Sequence, residues 1–489
     1  MRSANGRPGL LEAYDSGQYY CELLGAPHHP HPIIDVMERQ LSSITEAELR
    51  ARAAASENDL LDMGVTFTVY SEKSAIDRVF PFDLIPRVLP AAEWAVIEAG
   101  IVQRVTAINL FLADIYGPQH AIRDGLIPRD LVFGNPNFRP EMQGVKVSNG
   151  VYVAICGTDI VRDEQGRFLV LEDNARTPSG VSYVIENRRM LMRAWPELFD
   201  GLPIQPVDLY GPQLRKALAE CSPAASSDPQ IVLLTPGAYN SAYFEHVFLA
   251  REMGIPLVEG RDLTVIDNKV YMRTIAGLRL VDTIYRRIDD DFLDPLVFRK
   301  DSILGVPGLM QAYIAGNVQL ANAVGTGVAD DKAVYAYMPR LIRYYLDQDP
   351  ILANVDTHLC AEPEGLAFTL ANLERLVVKP VGASGGYGVM IGPRADKAEI
   401  EETRAKIVAD PGNFISQPVI PLSVCPTLCA DGIEPRHVDL RPFAVTGKDT
   451  WVLPGGLTRV ALRKNSLVVN SSQGGGSKDT WVMCPGAAS

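Results

Sequence analysis

Cysteine is scarce in this chain, with seven in 489 residues, an odd number scattered over the whole length. That distribution excludes a disulfide framework and fits reduced thiols, so a cytoplasmic setting is expected. No uninterrupted apolar run approaches the roughly 18–20 residues of a membrane span, and Met1 to Leu11 lacks the apolar core of an export signal. Basic charge is also short: 46 Lys and Arg against 59 Asp and Glu leave a formal net charge of −13. An acidic surface with no basic stripe argues against nucleic acid and against a polybasic membrane patch. Several signatures of catalysis are missing as well. There is no Walker A sequence, no G-x-G-x-x-G opening a helix and no G-x-S-x-G. Cys425, Cys429 and His437 are too sparse and wrongly spaced for a convincing zinc site.

What remains is ordinary globular material, 47% hydrophobic and 21% charged. Its length suggests roughly three structural units. The first forty residues, rich in Tyr, Pro and His, read as an irregular arm; His28, His29 and His31 sit among prolines that make a preformed metal site awkward. From Glu93 the apolar residues Trp94, Ile97, Ile101, Val105, Ile108, Leu112 and Ile115 recur every three or four positions, the mark of a long amphipathic helix stopped by Gly117-Pro118. Val145–Cys156 and Phe168–Leu171 read as two strands of a hairpin around the turn at Arg162–Gly166. Ile231–Leu234, a helix over Ala242–Met253 and the strand Leu257-Val258 form a Rossmann-like βαβ unit. Helices are expected over Leu309–Val324 and Asp331–Leu346, the latter capped by Asp330 or Asp331. The strand Leu376–Lys379 then leads into a Gly-rich loop. The class is mixed α/β with several sheets.

Three clusters carry chemistry. Glu172 and Asn174 alternate onto one face of a strand, and a hairpin brings Asp159 back beside them. Their oxygens are hard ligands suited to Mg²⁺, although a solvated turn has the same composition. Lys379 precedes Gly382-Ala-Ser384-Gly385-Gly386-Tyr-Gly388, an ammonium beside bare backbone N–H groups, which is what a polyphosphate requires; a plain flexible turn is the competing account. Arg286 and Arg287, followed by Asp289, Asp290 and Asp291, can fork a carboxylate or phosphate and hold an amine, or make a solvated charged turn. Arg441 and Arg459 lie in or beside apolar strands, so each needs an anionic partner, either a phosphate or a structural carboxylate.

Taken in order, these segments resemble the circularly permuted branch of the ATP-grasp superfamily, including its glutathionylspermidine-synthase-like members. The resemblance runs from about Phe133 to Trp481 and rests on DIVRDEQGRFLVLEDNARTPSGVSY, VDTIYRRIDDDFLDP, GNVQLANAVGTGVADDKAVYAYMPRLIRYYL, VVKPVGASGGYG and LPGGLTRVAL. The acidic cluster precedes Lys379 by about two hundred positions, the reverse of the usual ATP-grasp order, as a permutation would leave it.

The resemblance implies a permuted ATP-grasp fold with a Rossmann-like unit and an N-terminal helical region. It divides the chain into an arm and helical region (1–90), a metal-binding half (91–204), a Rossmann-like substrate unit (205–330) and an ATP-binding half (331–489). It assigns Mg²⁺ to Asp159, Glu172 and Asn174, and the ATP phosphates to Lys332 and Lys379. It makes Ser384, Gly385, Gly386 and Gly388 part of a closing loop and puts Gln417 at the adenine edge. Members that make glutathionylspermidine carry an arginine where this chain has Gly157, so either Arg176 or a later arginine, with Arg286 and Arg459 among the candidates, supplies that charge, or the substrate class differs. The implied activity is ATP-dependent joining of a carboxylate to an amine or thiol, with small-molecule or peptide substrates and no nucleic-acid or membrane partner. A nucleotide-binding scaffold without turnover and an ATP-dependent phosphotransferase are the alternatives.

Overall fold

The computed structural model describes residues 10–486 apart from 27–28, 31–33, 42–43, 65, 72–73, 224–227, 383–387, 464–465, 467–468 and 470–474. His28, His31, Ser384, Gly385 and Gly386 therefore lie outside the described residues.

Strand β1 (Phe82–Leu89) leads into helix α1 (Ala91–Ile115). Every position of the expected apolar stripe, from Trp94 to Ile115, is buried. Among the described residues α1 is the one helix long and apolar enough to cross a membrane, and most of its apolar surface is packed inside the fold. The hairpin follows as β2 (Ile155–Arg162) and β3 (Phe168–Asn174). Its first strand starts ten residues later than the alternation from Val145 implied. Residues 148–150 form a 3₁₀ turn with Asn149 and Gly150 at φ +52° and +69°, which interrupts any strand there.

After α2 (Val181–Ala194) comes the βαβ unit, β4 (Ile231–Leu234), α3 (Tyr243–Met253) and β5 (Leu257–Val258), with β4 and β5 parallel as expected. Strands β6 (Thr283–Arg286) and β7 (Gln319–Ala321) complete a parallel sheet ordered β7-β6-β4-β5. The single helix expected over Leu309–Val324 is thus two elements. A short helix, Leu309–Ile314, ends at Ala315, Gly316 turns the chain at φ +72°, and the buried Gln-Leu-Ala segment joins the sheet.

Helix α4 (Lys332–Leu346) starts where expected. The Asp331 carboxylate caps it by accepting from the amides of Ala333 (2.8 Å) and Val334 (3.3 Å). Strands β8 (Ala353–Asn354), β9 (His358–Leu359), β10 (Leu376–Pro380), β11 (Met390–Ile391) and β12 (Phe414–Pro418) follow. Four of them form an antiparallel sheet in the order β9-β12-β10-β11. The last strands are β13 (Phe443–Thr446), β14 (Thr450–Val452), β15 (Thr458–Val460) and β16 (Gly476–Val482).

Two sheets draw on distant parts of the chain. One runs β8-β3-β2-β13-β14, and the other β15-β16-β1. A continuous apolar core reaches from Leu89 through α1, β2, the parallel sheet and α4 to Val482.

Candidate active site

The hairpin β2/β3 builds the acidic side of a cleft. Its register sets Gly157 opposite Asn174 and Asp159 opposite Glu172, so all four lie on one face. The intervening Thr158 and Asp173 point the other way. There the buried Arg104 of α1 grips Asp173 with Nε at 2.9 Å and Nη2 at 2.7 Å, and also donates to Asn354 Oδ1 at 2.8 Å. A buried charge pair this well hydrogen-bonded ties β3 to α1 and holds the cleft residues on their face.

Asp159 is 2% exposed and meets two guanidinium groups. Arg441 donates through Nε to one carboxylate oxygen and through Nη2 to the other at 2.8 Å. Arg459 Nη2 donates to Asp159 Oδ2 at 2.6 Å and also to Asp439 Oδ2, to which its Nε donates at 2.9 Å. Burial alone would raise the Asp159 carboxyl, but the two arginines overcome it and hold the group well below the usual carboxylate range. Gly157 makes this possible. A Cβ there would stand 3.3 Å from both Arg441 Cδ and Pro178 Cβ, so the arginine stem crosses the sheet face over the missing side chain.

Lysines line the opposite wall. Lys332, the first residue of α4, places Nζ 3.6 Å from Glu172 Oε2. Lys379 on β10 donates to Gln417 Oε1 at 2.7 Å, and Gln417 Nε2 in turn donates to Thr357 Oγ1 at 2.9 Å. Burial pushes the Lys379 ammonium down to about 8; Lys332 adds to the shift, and Glu172 opposes it. The Gln417 side chain is 2% exposed, so its amide positions the lysine instead of standing open at the cleft edge.

Asn174 donates its amide nitrogen to Gly157 O (3.1 Å) and Asp159 Oδ1 (3.4 Å), an orientation that keeps its oxygen for a cation. Glu172 has only loose ion pairs, at 3.6 Å to Lys332 and 3.9 Å to Arg441. Two carboxylates and an amide oxygen on one strand face are suitable donors for Mg²⁺, provided Asp159 yields a guanidinium contact. Among the described residues, no group of three or more His, Cys, Asp or Glu stands together as a metal site, and this trio contains only two acids.

Beyond Asn174 the chain turns at Ala175 and Arg176, whose amides both donate to Asp330 Oδ1. The Arg176 guanidinium lies loosely between Asp330 (3.4 Å) and Asp289 (3.6 Å) and is about one-third exposed. Burial raises the Asp330 carboxyl to about 6, against the opposing effect of Arg176. Arg286 must be corrected as a candidate for the reacting centre. Its fully buried guanidinium donates to the carbonyls of Asn322, Ile288 and Ala323 and pairs with Asp290, so its donors are spent on backbone that β7 leaves behind. Gly388, at φ +71°, closes the far end of the Gly-rich segment against Pro380, where a Cβ would meet Pro380 Cγ at 3.0 Å.

The sequence flagged Arg441 as a strand arginine in need of a partner but did not place it with Asp159. Thr357 and the Arg104–Asp173 pair carry no local signal, because their partners lie far away in the chain, and Asp330 was visible only as a candidate helix cap.

The family described as circularly permuted ATP-grasp type 2 matches residues 86–461. An uncharacterized protein of Synechocystis sp. is 51% identical over 97% of this chain and 98% of its own length. An uncharacterized protein of Mycobacterium tuberculosis is 53% identical over 92% of this chain and 81% of its own. A Frankia alni protein, provisionally named a glutamate–cysteine ligase, is 42% identical over 97% of this chain, which spans only 55% of that longer relative. Among solved structures, a glutathione synthetase-like effector from Globodera pallida, in its apo form, superposes with a TM-score of 0.58 over 90% of this chain and 98% of that one, at 11% identity. That likeness is one of fold.

Proposed function

Because the chain belongs to the circularly permuted ATP-grasp type 2 family, we propose that it is an ATP- and Mg²⁺-dependent ligase that joins a carboxylate to an amine or thiol through an acyl-phosphate. The observation that carries this reading is the meeting of Lys332, Lys379, Glu172 and Asp159 with two arginines, all brought together from segments hundreds of residues apart. Lys332, Lys379, Arg441 and Arg459 stand among Asp159, Glu172 and Asp439, with Arg176, Asp289 and Asp330 adjoining, so cationic side chains are gathered at one place in an otherwise acidic protein. A nucleoside triphosphate suits such a cleft.

Asp159, Glu172 and Asn174 would hold the magnesium, which supplies charge neutralisation at the phosphates when bound. Lys332 and Lys379 neutralise the same phosphates as point charges. A substrate carboxylate attacks the terminal phosphorus in line and expels ADP, forming the acyl-phosphate. The amine then attacks the acyl carbon, and phosphate leaves. Arg176, with Asp289 and Asp330 around it, is the exposed polar group next along the chain from the metal trio, and we assign it to orienting the acid or amine. The protein supplies no covalent nucleophile, so its contribution is positioning and electrostatic stabilisation. The partial match to a relative named as a glutamate–cysteine ligase favours amino-acid or peptide substrates over larger partners.

The test is ADP release with Mg²⁺-ATP over a panel of amino acids, short peptides and amines. Glu172→Gln should lower substrate-dependent release by about a hundredfold with an unchanged circular dichroism spectrum. Equal turnover in the variant would remove the acidic hairpin from the mechanism.

A further inference from the structure

Asp159 has two claimants of unequal standing. Arg459 has a carboxylate of its own, Asp439, to which it donates through both Nε and Nη2 at 2.5–3.1 Å. Arg441 has only a loose alternative: its other contacts are the Ser179 carbonyl at 3.2 Å and the Glu172 carboxylate at 3.9 Å. It spends three of its N–H donors on Asp159 and Ser179, and its side chain is 14% exposed at the cleft. Gly157 presents no side chain to the stem, which a Cβ there would meet at 3.3 Å.

A divalent cation and two guanidinium groups compete for one carboxylate. Of the two arginines, the one that leaves is the one whose second carboxylate, Glu172, is 3.9 Å away and is itself a candidate ligand of the cation. Once released, Arg441 cannot remain unpaired in a half-buried cleft, because an uncompensated charge there is costly. With Glu172 also engaged by that cation, the anionic oxygens left for the arginine would be those of the phosphoryl group, whose geometry a guanidinium fork matches. We propose that Arg441 is an exchangeable arginine, held on Asp159 by default and transferred to the terminal phosphoryl group of the nucleotide when a divalent cation occupies Asp159. It thereby supplies, from β2's neighbouring segment, a positive charge that β2 itself cannot provide at Gly157. The inference rests on the ligase reading and names one residue of that site.

Calorimetry on the full chain tests it, with the non-hydrolysable β,γ-imido analogue of ATP and with ADP, each with Mg²⁺. Arg441→Ala should weaken the triphosphate analogue by about tenfold, the worth of one charge-assisted contact, and leave ADP within about twofold. Arg441→Lys, which keeps the charge but not the fork, should fall between. It also decides the matter if the alanine variant fails to fold. Equal weakening of both nucleotides, or of neither, overturns the assignment while leaving the ligase reading in place. A wild-type protein that binds neither nucleotide overturns the ligase reading and this inference with it.

Discussion

An ammonium that must meet a phosphate is useful only while protonated, and Lys379 is placed where that condition is tested near neutrality. Burial lowers it to about 8, from an ordinary lysine value of about 10.4. Two opposite trends follow. The folded state binds fewer protons than the unfolded chain between those values, so this lysine's contribution to stability rises with pH across the window. Nucleotide capture moves the other way: kcat/KM for ATP should fall as pH rises through about 8 in the free protein. Lys379→Arg, charged at any accessible pH, should remove that alkaline limb. A pH profile identical in the two proteins would mean that Lys379 does not titrate in nucleotide capture. The lysine was visible in the sequence because it ends an apolar strand beside a Gly-rich loop. Its coupling to Gln417 and Thr357 was not, since β12 and the segment after β8 reach it only in the folded sheet.

Helix α4 shows how an element carries a site residue. Asp331 caps the helix and also accepts from Asn135 Nδ2 at 2.8 Å, which fixes the helix start against the loop before β2. Lys332 follows at once, so the cap sets where its ammonium points. Asp331→Ala should cost about 1–2 kcal/mol of stability and weaken Mg²⁺-nucleotide binding several-fold, while Asp331→Asn retains most of both. Thermal melting together with calorimetry checks this pair, and a stability loss with unchanged nucleotide affinity would separate the cap from the site. The start of this helix was legible because capping is local chemistry. The helix expected over Leu309–Val324 failed for the complementary reason: its apolar run serves equally well as a buried strand, and only the parallel sheet selects that use for Gln319–Ala321.

At the scale of the whole molecule, a late strand is closed against an early one. Strand β16 lies between β15 and β1, and every residue from Gly476 to Val482 is buried. It brings two buried ion pairs, Lys478 with Asp83 and Arg188 with Asp479 (2.6 Å), together with the fully buried Trp481. Leaving one member of such a pair uncompensated costs about 3–5 kcal/mol, and a domain's whole stability is about 5–15 kcal/mol. A chain ending before Gly476 should therefore lose cooperative unfolding and elute as aggregate in size-exclusion chromatography. A truncated chain that melts cooperatively near the parent temperature would contradict this.

The scarcity of cysteine, of basic charge and of nucleophile motifs limited what chemistry this chain can perform. The alternation of side chains along β2 and β3 already put Asp159, Glu172 and Asn174 on one face, because a hairpin's register is set over a dozen residues. Arg441 and Arg459 reach Asp159 across 282 and 300 positions of sequence. No local period specifies contacts of that span; the packing of β13 and β15 against the earlier strands does. The residue types suited to phosphate are therefore written in the sequence. Which arginine shares the Asp159 carboxylate, and which is spent holding backbone, was decided only by the tertiary structure.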